Sequence, residues 1–137
     1  MTDKCFIDTN IWVYAHLQDT HNKCEMALEL LETLPQLVGS TQVLNEYYSV
    51  MLKKKIADHL IQENIELIIS IAEITVIEIV TLRRAHQLKL KYGFSYWDSL
   101  VLASALEAGC QYLYSEDMQH HQLIENSLII INPFKQA

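Results

Sequence analysis

Glycine and proline are scarce in this chain, three and two residues in 137, which excludes a collagen-like, low-complexity or disordered polypeptide. No uncharged apolar run reaches membrane-spanning length, so no membrane association is expected. The amino-terminal "MTDKCFIDTN" lacks a basic stretch leading into an apolar segment and cleavage site, so no secretory signal is expected. Cysteine is limited to Cys5, Cys24 and Cys110, an odd number at spacings that fit neither a disulfide framework nor a metal motif. They read as ordinary buried thiols in a cytoplasmic protein. Positive charge is also short, with 10 Lys and Arg against 17 Asp and Glu and a formal charge of −7. That balance argues against a domain that binds nucleic acid simply by being basic.

An acidic total does not exclude nucleic acid, because a carboxylate cluster neutralised by metal can sit beside separate basic patches. Lys53 to Lys55, Arg83 with Arg84, and Lys89 with Lys91 are such patches. Taken alone they read as solvated helix faces.

Half the residues are hydrophobic, enough for one sizeable core, and residues 1–137 are read as a single domain without repeat or linker. Short apolar runs alternate with longer helical patterns. "KCFID", "QLVGS", "ITVIEIV", "QYLYS" and "LIIIN" are five strand candidates. Between them fall a short helix from Ile11, a longer one from about Asn22 to Leu34 stopped by Pro35, and one from Thr41 with Val43, Tyr47, Val50 and Met51 on its apolar face. Further helices are expected from Ala57 to about Ala72, over "TLRRAHQLKLKYG" with Gly93 closing it, and over "SYWDSLVLASALEAG" between Ser95 and Gly109. Alternation of this kind predicts an α/β fold with a parallel sheet covered on both faces, whose ligands bind beyond the carboxyl ends of the strands.

Acidic residues fall where that rule puts a site. Asp8 ends the first strand, Asp117 follows "YLY", Glu46 lies six residues beyond Ser40 on the helix leaving the second strand, and Asp98 is in the first turn of the "SYWD" helix. Four carboxylates brought together repel one another and make sense only with compensating cations. Hard oxygen donors with few histidines point to Mg2+ or Mn2+, one or two ions, and so to metal-assisted hydrolysis of a phosphodiester in a nucleic acid strand. Each acid also has a plain structural alternative. Asp8 can be a helix N-cap, Ser95 and Asp98 a capping box, Glu46 a solvated helix acid, and Ser115 or Asp117 a cap. The combination is more telling than any member, since Asp98 precedes the apolar "SLVLASALEA" and Asp8 interrupts a strand that reads as buried.

Together "FIDTNIWVYA", "GSTQVLNEYYSV", "FSYWDSLVLASALEAGCQYLYSEDMQHH" and "LIIINPF" resemble the PIN-domain proteins, particularly the VapC-like ribonuclease toxins of bacterial toxin-antitoxin pairs. The resemblance runs from about Cys5 to Phe134. It implies a three-layer α/β/α sandwich around a parallel sheet of about five strands, divalent-metal-dependent RNA cleavage leaving 5′-phosphate and 3′-hydroxyl ends, and a homodimer held inactive by a small antitoxin protein. It assigns the four acids to Asp8 in "DTN", Glu46 in "LNE", Asp98 in "YWDS" and Asp117 in "SED", with Thr9, Asn10, Ser40 and Ser115 in support. Glu116 is not expected to ligate metal. Where related members commonly carry Gly, this chain has His121, which takes a positive φ less readily. His120 and His121 read as surface residues.

Lys53, Lys54, Arg83, Arg84 and Lys91 are candidate contacts along the path of a single-stranded RNA. Trp12 and Trp97 could stack bases but read first as core residues. Two other classes remain open: an aspartyl-phosphate phosphotransferase using Asp8, although Asn10 stands where those enzymes usually carry a second acid, and a catalytically silent binding module whose acids are helix caps.

Overall fold

The computed structural model describes residues 3–18 and 22–135. Chain order is β1 (Lys4–Ile7), α1 (Thr9–Ala15), α2 (Lys23–Thr33), β2 (Gln36–Ser40), α3 (Thr41–Lys53), α4 (Asp58–Ile71), β3 (Glu73–Thr75), α5 (Ile79–Tyr92), α6 (Tyr96–Glu107), β4 (Tyr112–Tyr114), β5 (Leu123–Ile124) and β6 (Leu128–Ile131). The strands form one sheet in the order β3-β2-β1-β4-β6-β5. Every pairing is parallel except that of β5 with β6.

The α/β class with a helix-flanked, mostly parallel sheet is thus as the sequence implies, with six strands where about five were expected. The sixth, β5, is two residues long and pairs antiparallel at the sheet edge, too short to leave a period-2 signature. "ITVIEIV" is strand only over Glu73–Thr75; Val76 is 63% exposed, and Ile79 and Val80 already open α5. Its β-branched residues do not find the half-buried pleated surface that makes such a run a strand. The first helix begins at Thr9, two residues before Ile11, because Asp8 caps it.

The core lies between the central strands and the helices that cover them, with α3 and α6 packed on β2. Phe6, Ile7, Leu113 and Ile130 are fully buried from the sheet, as are Tyr47 and Met51 from α3. Helix α6 is buried over every residue from Ser99 to Ala105, as expected of a helix apolar all round. Its cap Ser95 and the left-handed Gly109 (φ 75°) bound it, and Gly93 (φ 78°) ends α5 in the same conformation. Trp12 is buried at 1% exposure, whereas Trp97 is 62% exposed. The core reading of Trp97 is therefore corrected: it stands in the first turn of α6, before the helix dives under its neighbours.

Candidate metal and nucleic-acid site

Buried β1 ends at Asp8, whose extended backbone (φ −73°, ψ 164°) turns the chain into α1. One Asp8 oxygen accepts the Thr9 N–H at 2.8 Å, and the other accepts the Ser115 hydroxyl, also at 2.8 Å. Asp8 is thus an N-cap whose second oxygen is tied to the end of β4. Burial pushes its carboxyl up to about 7; the Ser115 and Thr9 hydrogen bonds oppose the rise, and the charges of Glu46 and Asp117 add to it.

Glu46 is half-buried on the second turn of α3. It accepts the Thr9 hydroxyl on Oε2 at 3.1 Å and the Gln42 amide on Oε1 at 2.7 Å. Asp98 is half-buried in the first turn of α6, its N–H donated to Ser95 Oγ at 3.1 Å. Burial raises its carboxyl; the Ser95 hydrogen bond lowers it, while Asp117 and Glu46 raise it further. Asp117, exposed beyond β4, accepts the Asn10 amide at 2.9 Å and donates its N–H to Ser115 Oγ at 3.2 Å.

The fold therefore brings four acids from four separate segments to the carboxyl edge of the parallel strands. Glu46 and Asp117 raise both Asp8 and Asp98, so the carboxylates share one electrostatic neighbourhood. Among the described residues none of the four is in an ion pair; the ion pairs lie at Lys4–Glu73, Lys23–Glu116 and Lys91–Glu125. Crowded, uncompensated carboxylates with only oxygen donors fit a hard divalent cation. The carboxylates of Asp8, Glu46 and Asp117 are each held by hydrogen-bond partners, and among the described residues no three acids already form one closed ligand cage. Donor chemistry fits the ion, then, while the carboxylates would still have to close on it.

Of the supporting residues, Thr9, Asn10 and Ser115 each touch an acid directly. Ser40 does something else: fully buried, its hydroxyl caps α3 by accepting the Val43 N–H at 3.2 Å. Glu116 points away into a network with Lys23 and the Tyr14 hydroxyl. His121 adopts φ 69°, so the loop keeps the left-handed conformation despite the missing glycine. Histidine is among the side chains that tolerate it best. Its N–H donates to Ile130 O at 2.7 Å, and its ring stacks on His120 at 3.6 Å. The cations divide as well: Lys91 pairs with Glu125, while Lys54 is exposed and lines the same cleft as Glu46 and Asp117. Gln42 was not anticipated, although its spacing of four from Glu46 on a helix was the available signal.

The PIN domain profile matches residues 5–125, and the chain belongs to that family. Its fold is similar to that of VapC20 from Mycobacterium tuberculosis, described as a sarcin-ricin loop cleaving toxin: 16% identity, TM-score 0.68, covering 80% of this chain and 86% of that one. It is similar also to VapBC2 from Rickettsia felis bound to a promoter DNA fragment, with 19% identity, TM-score 0.67 and 93% and 96% coverage. A toxin-antitoxin complex from Klebsiella pneumoniae gives 21% identity, TM-score 0.70 and 96% and 99% coverage. No curated protein sequence matches the chain.

Proposed function

We propose that this protein, as a single PIN domain over residues 1–137, is a divalent-metal-dependent endoribonuclease and the toxin of a toxin-antitoxin pair. The observation that carries the reading is the group of four mutually repelling carboxylates with no cationic partner among the described residues. Asp8, Glu46, Asp98 and Asp117 would hold Mg2+ or Mn2+, one or two ions. The bound cation would supply Lewis-acid polarisation of the scissile phosphate and lower the pKa of water.

The chain's own residues set the rest. Ser115 and the Thr9 N–H fix both oxygens of Asp8, the Thr9 hydroxyl and Gln42 fix Glu46, and Asn10 fixes Asp117. Such partners orient individual ligands, while the carboxylates would still close together on the ion. A carboxylate left beside the attacking water accepts its proton.

A small antitoxin is the proposed protein partner. Two of the similar structures are toxin-antitoxin assemblies, and the chain presents an apolar groove of about 600 Å³ between α2 and α4, lined by Leu28, Leu31, Leu67 and Ile71. Val76, Ile79 and Val80, each more than 60% exposed, support a homodimer. No helix among the described residues is long and apolar enough to cross a membrane.

The direct test is cleavage of single-stranded RNA in Mg2+ or Mn2+ by wild type and Asp8→Asn, with induction of each in growing cells. Cleavage and growth arrest by wild type, both lost in the variant and cleavage lost in EDTA, are expected. Undiminished cleavage in excess EDTA overturns the mechanism. Hydrolysis of p-nitrophenyl phosphate with RNA left intact would point to the phosphotransferase class instead.

A further inference from the structure

A second cavity, of about 280 Å³, opens directly from the acids. Its walls are two facing helical stripes. On α1, Asn10, Val13 and Tyr14 recur at intervals of three and four; on α3 and its cap, Glu46, Val50 and Lys54 recur at intervals of four. Positions so spaced lie on one helix face, so the cavity is the cleft between α1 and α3. Its chemistry changes along its length. Glu46 and Asp117 stand at one end, Val50 comes a turn later, and Lys54 lies a further turn on, roughly 12 Å along the helix from Glu46.

We infer that this cleft is a binding subsite for the nucleotide next to the scissile phosphate of a single-stranded RNA, with its base against Val13, Tyr14 and Val50 and its outer phosphate on Lys54. The inference rests on the nuclease reading and extends it. Lys54 is exposed and has no ion pair among the described residues, so its ammonium is available to a phosphate. The acidic centre repels any phosphate whose charge is not neutralised, and Lys54 at the far end of the cleft would offset that repulsion for the neighbouring one. Tyr14 is also held in place: its hydroxyl donates to Glu116, Lys23 lies 4.8 Å from its ring centroid, and Phe134 meets it edge-on at 5.2 Å. A wall fixed before binding loses little entropy when a base settles on it. The volume lies at the small end of ligand sites, suiting one nucleoside rather than a base-paired stem.

The experiment pairs Lys54→Ala with Val50→Phe, which fills the cleft with apolar bulk. It reads RNA cleavage, anisotropy of a labelled single-stranded oligoribonucleotide across a salt series, and Mn2+ affinity by calorimetry. Lys54→Ala should raise KM several-fold at nearly constant kcat and flatten the logarithmic salt dependence of binding by about 0.7, with Lys54→Arg restoring both. Val50→Phe should lower kcat/KM roughly tenfold, as expected when one base loses its contact surface, with Mn2+ affinity unchanged. Wild-type KM and salt slope in Lys54→Ala, or wild-type kcat/KM in Val50→Phe, overturn the subsite while leaving the nuclease reading standing. Binding of free cytidine or adenosine monophosphate as tightly as the oligonucleotide also overturns it, in favour of a small-nucleotide site. A wild type that neither binds nor cleaves RNA overturns both readings.

Discussion

Replacing Asp8 by Asn should make the metal-free protein more stable at neutral and alkaline pH and less stable in acid. Burial lifts the Asp8 carboxyl from 3.8 to about 7 in the folded protein. A carboxyl raised on folding favours the fold when protonated. Its stabilisation is fully present below the unfolded value near 3.8, and is lost as pH rises through about 7. Three pH units correspond to at most about 4 kcal/mol, a large share of the stability of a domain this size. Asn carries no charge and can still accept the Thr9 N–H, but its amide NH2 faces the Ser115 hydroxyl where Asp8 presents an oxygen, at a cost of about 1 kcal/mol. Wild type should therefore be the more stable by about 1 kcal/mol at pH 4, and Asp8→Asn by about 3 kcal/mol at pH 8. Urea unfolding in EDTA at several pH values measures the difference. Parallel curves for the two proteins between pH 4 and pH 8 would refute the argument, because they would mean that Asp8 is not held in a desolvated, like-charged setting. Mn2+ at a hundredfold excess over its dissociation constant should then stabilise wild type by about 2.7 kcal/mol and Asp8→Asn far less.

The other expectations use the same geometry. Mn2+ binding at pH 6 should release a proton as Asp8 ionises, seen as a buffer-dependent calorimetric enthalpy in wild type that is much smaller in Asp8→Asn. Thr9→Val removes the hydroxyl that steadies Glu46; kcat/KM for RNA cleavage should fall roughly tenfold or more, with the melting temperature little changed and Thr9→Ser close to wild type. Gly93→Ala meets no atom within 4 Å but forces Ala to a φ of 78°, and denaturant titration should show a loss of about 1–2 kcal/mol.

Much of this architecture is legible in the residues themselves, for reasons particular to each. The β1 run and the apolar α6 announce themselves because burial on every side demands unbroken hydrophobic sequence. Asp8 and Asp98 stand out by interrupting or opening such runs, and Gly93 and Gly109 mark helix ends because positive φ costs glycine nothing. Where the sequence misleads, tertiary surroundings override a local tendency. The β-branched residues after Thr75 lack a pleated surface to cover, and β5 is an edge pairing of only two residues. Trp97 stays in solvent because α6 does not become buried until Ser99. The allotment of Lys91 to Glu125 and of Lys54 to the cleft depends on which helices face one another, which periodicity alone does not specify.

Both borders of the sheet are short, three residues at β3 and two at β5. An incoming peptide finds almost no free row of backbone donors and acceptors to zip onto, so strand addition and edge-to-edge aggregation are disfavoured. Recognition between this protein and another chain is thereby channelled to side chains on its helices. Specificity can then diverge by surface substitution alone, without disturbing the hydrogen-bonded ladder that delivers Asp8 and Asp117 to their shared edge.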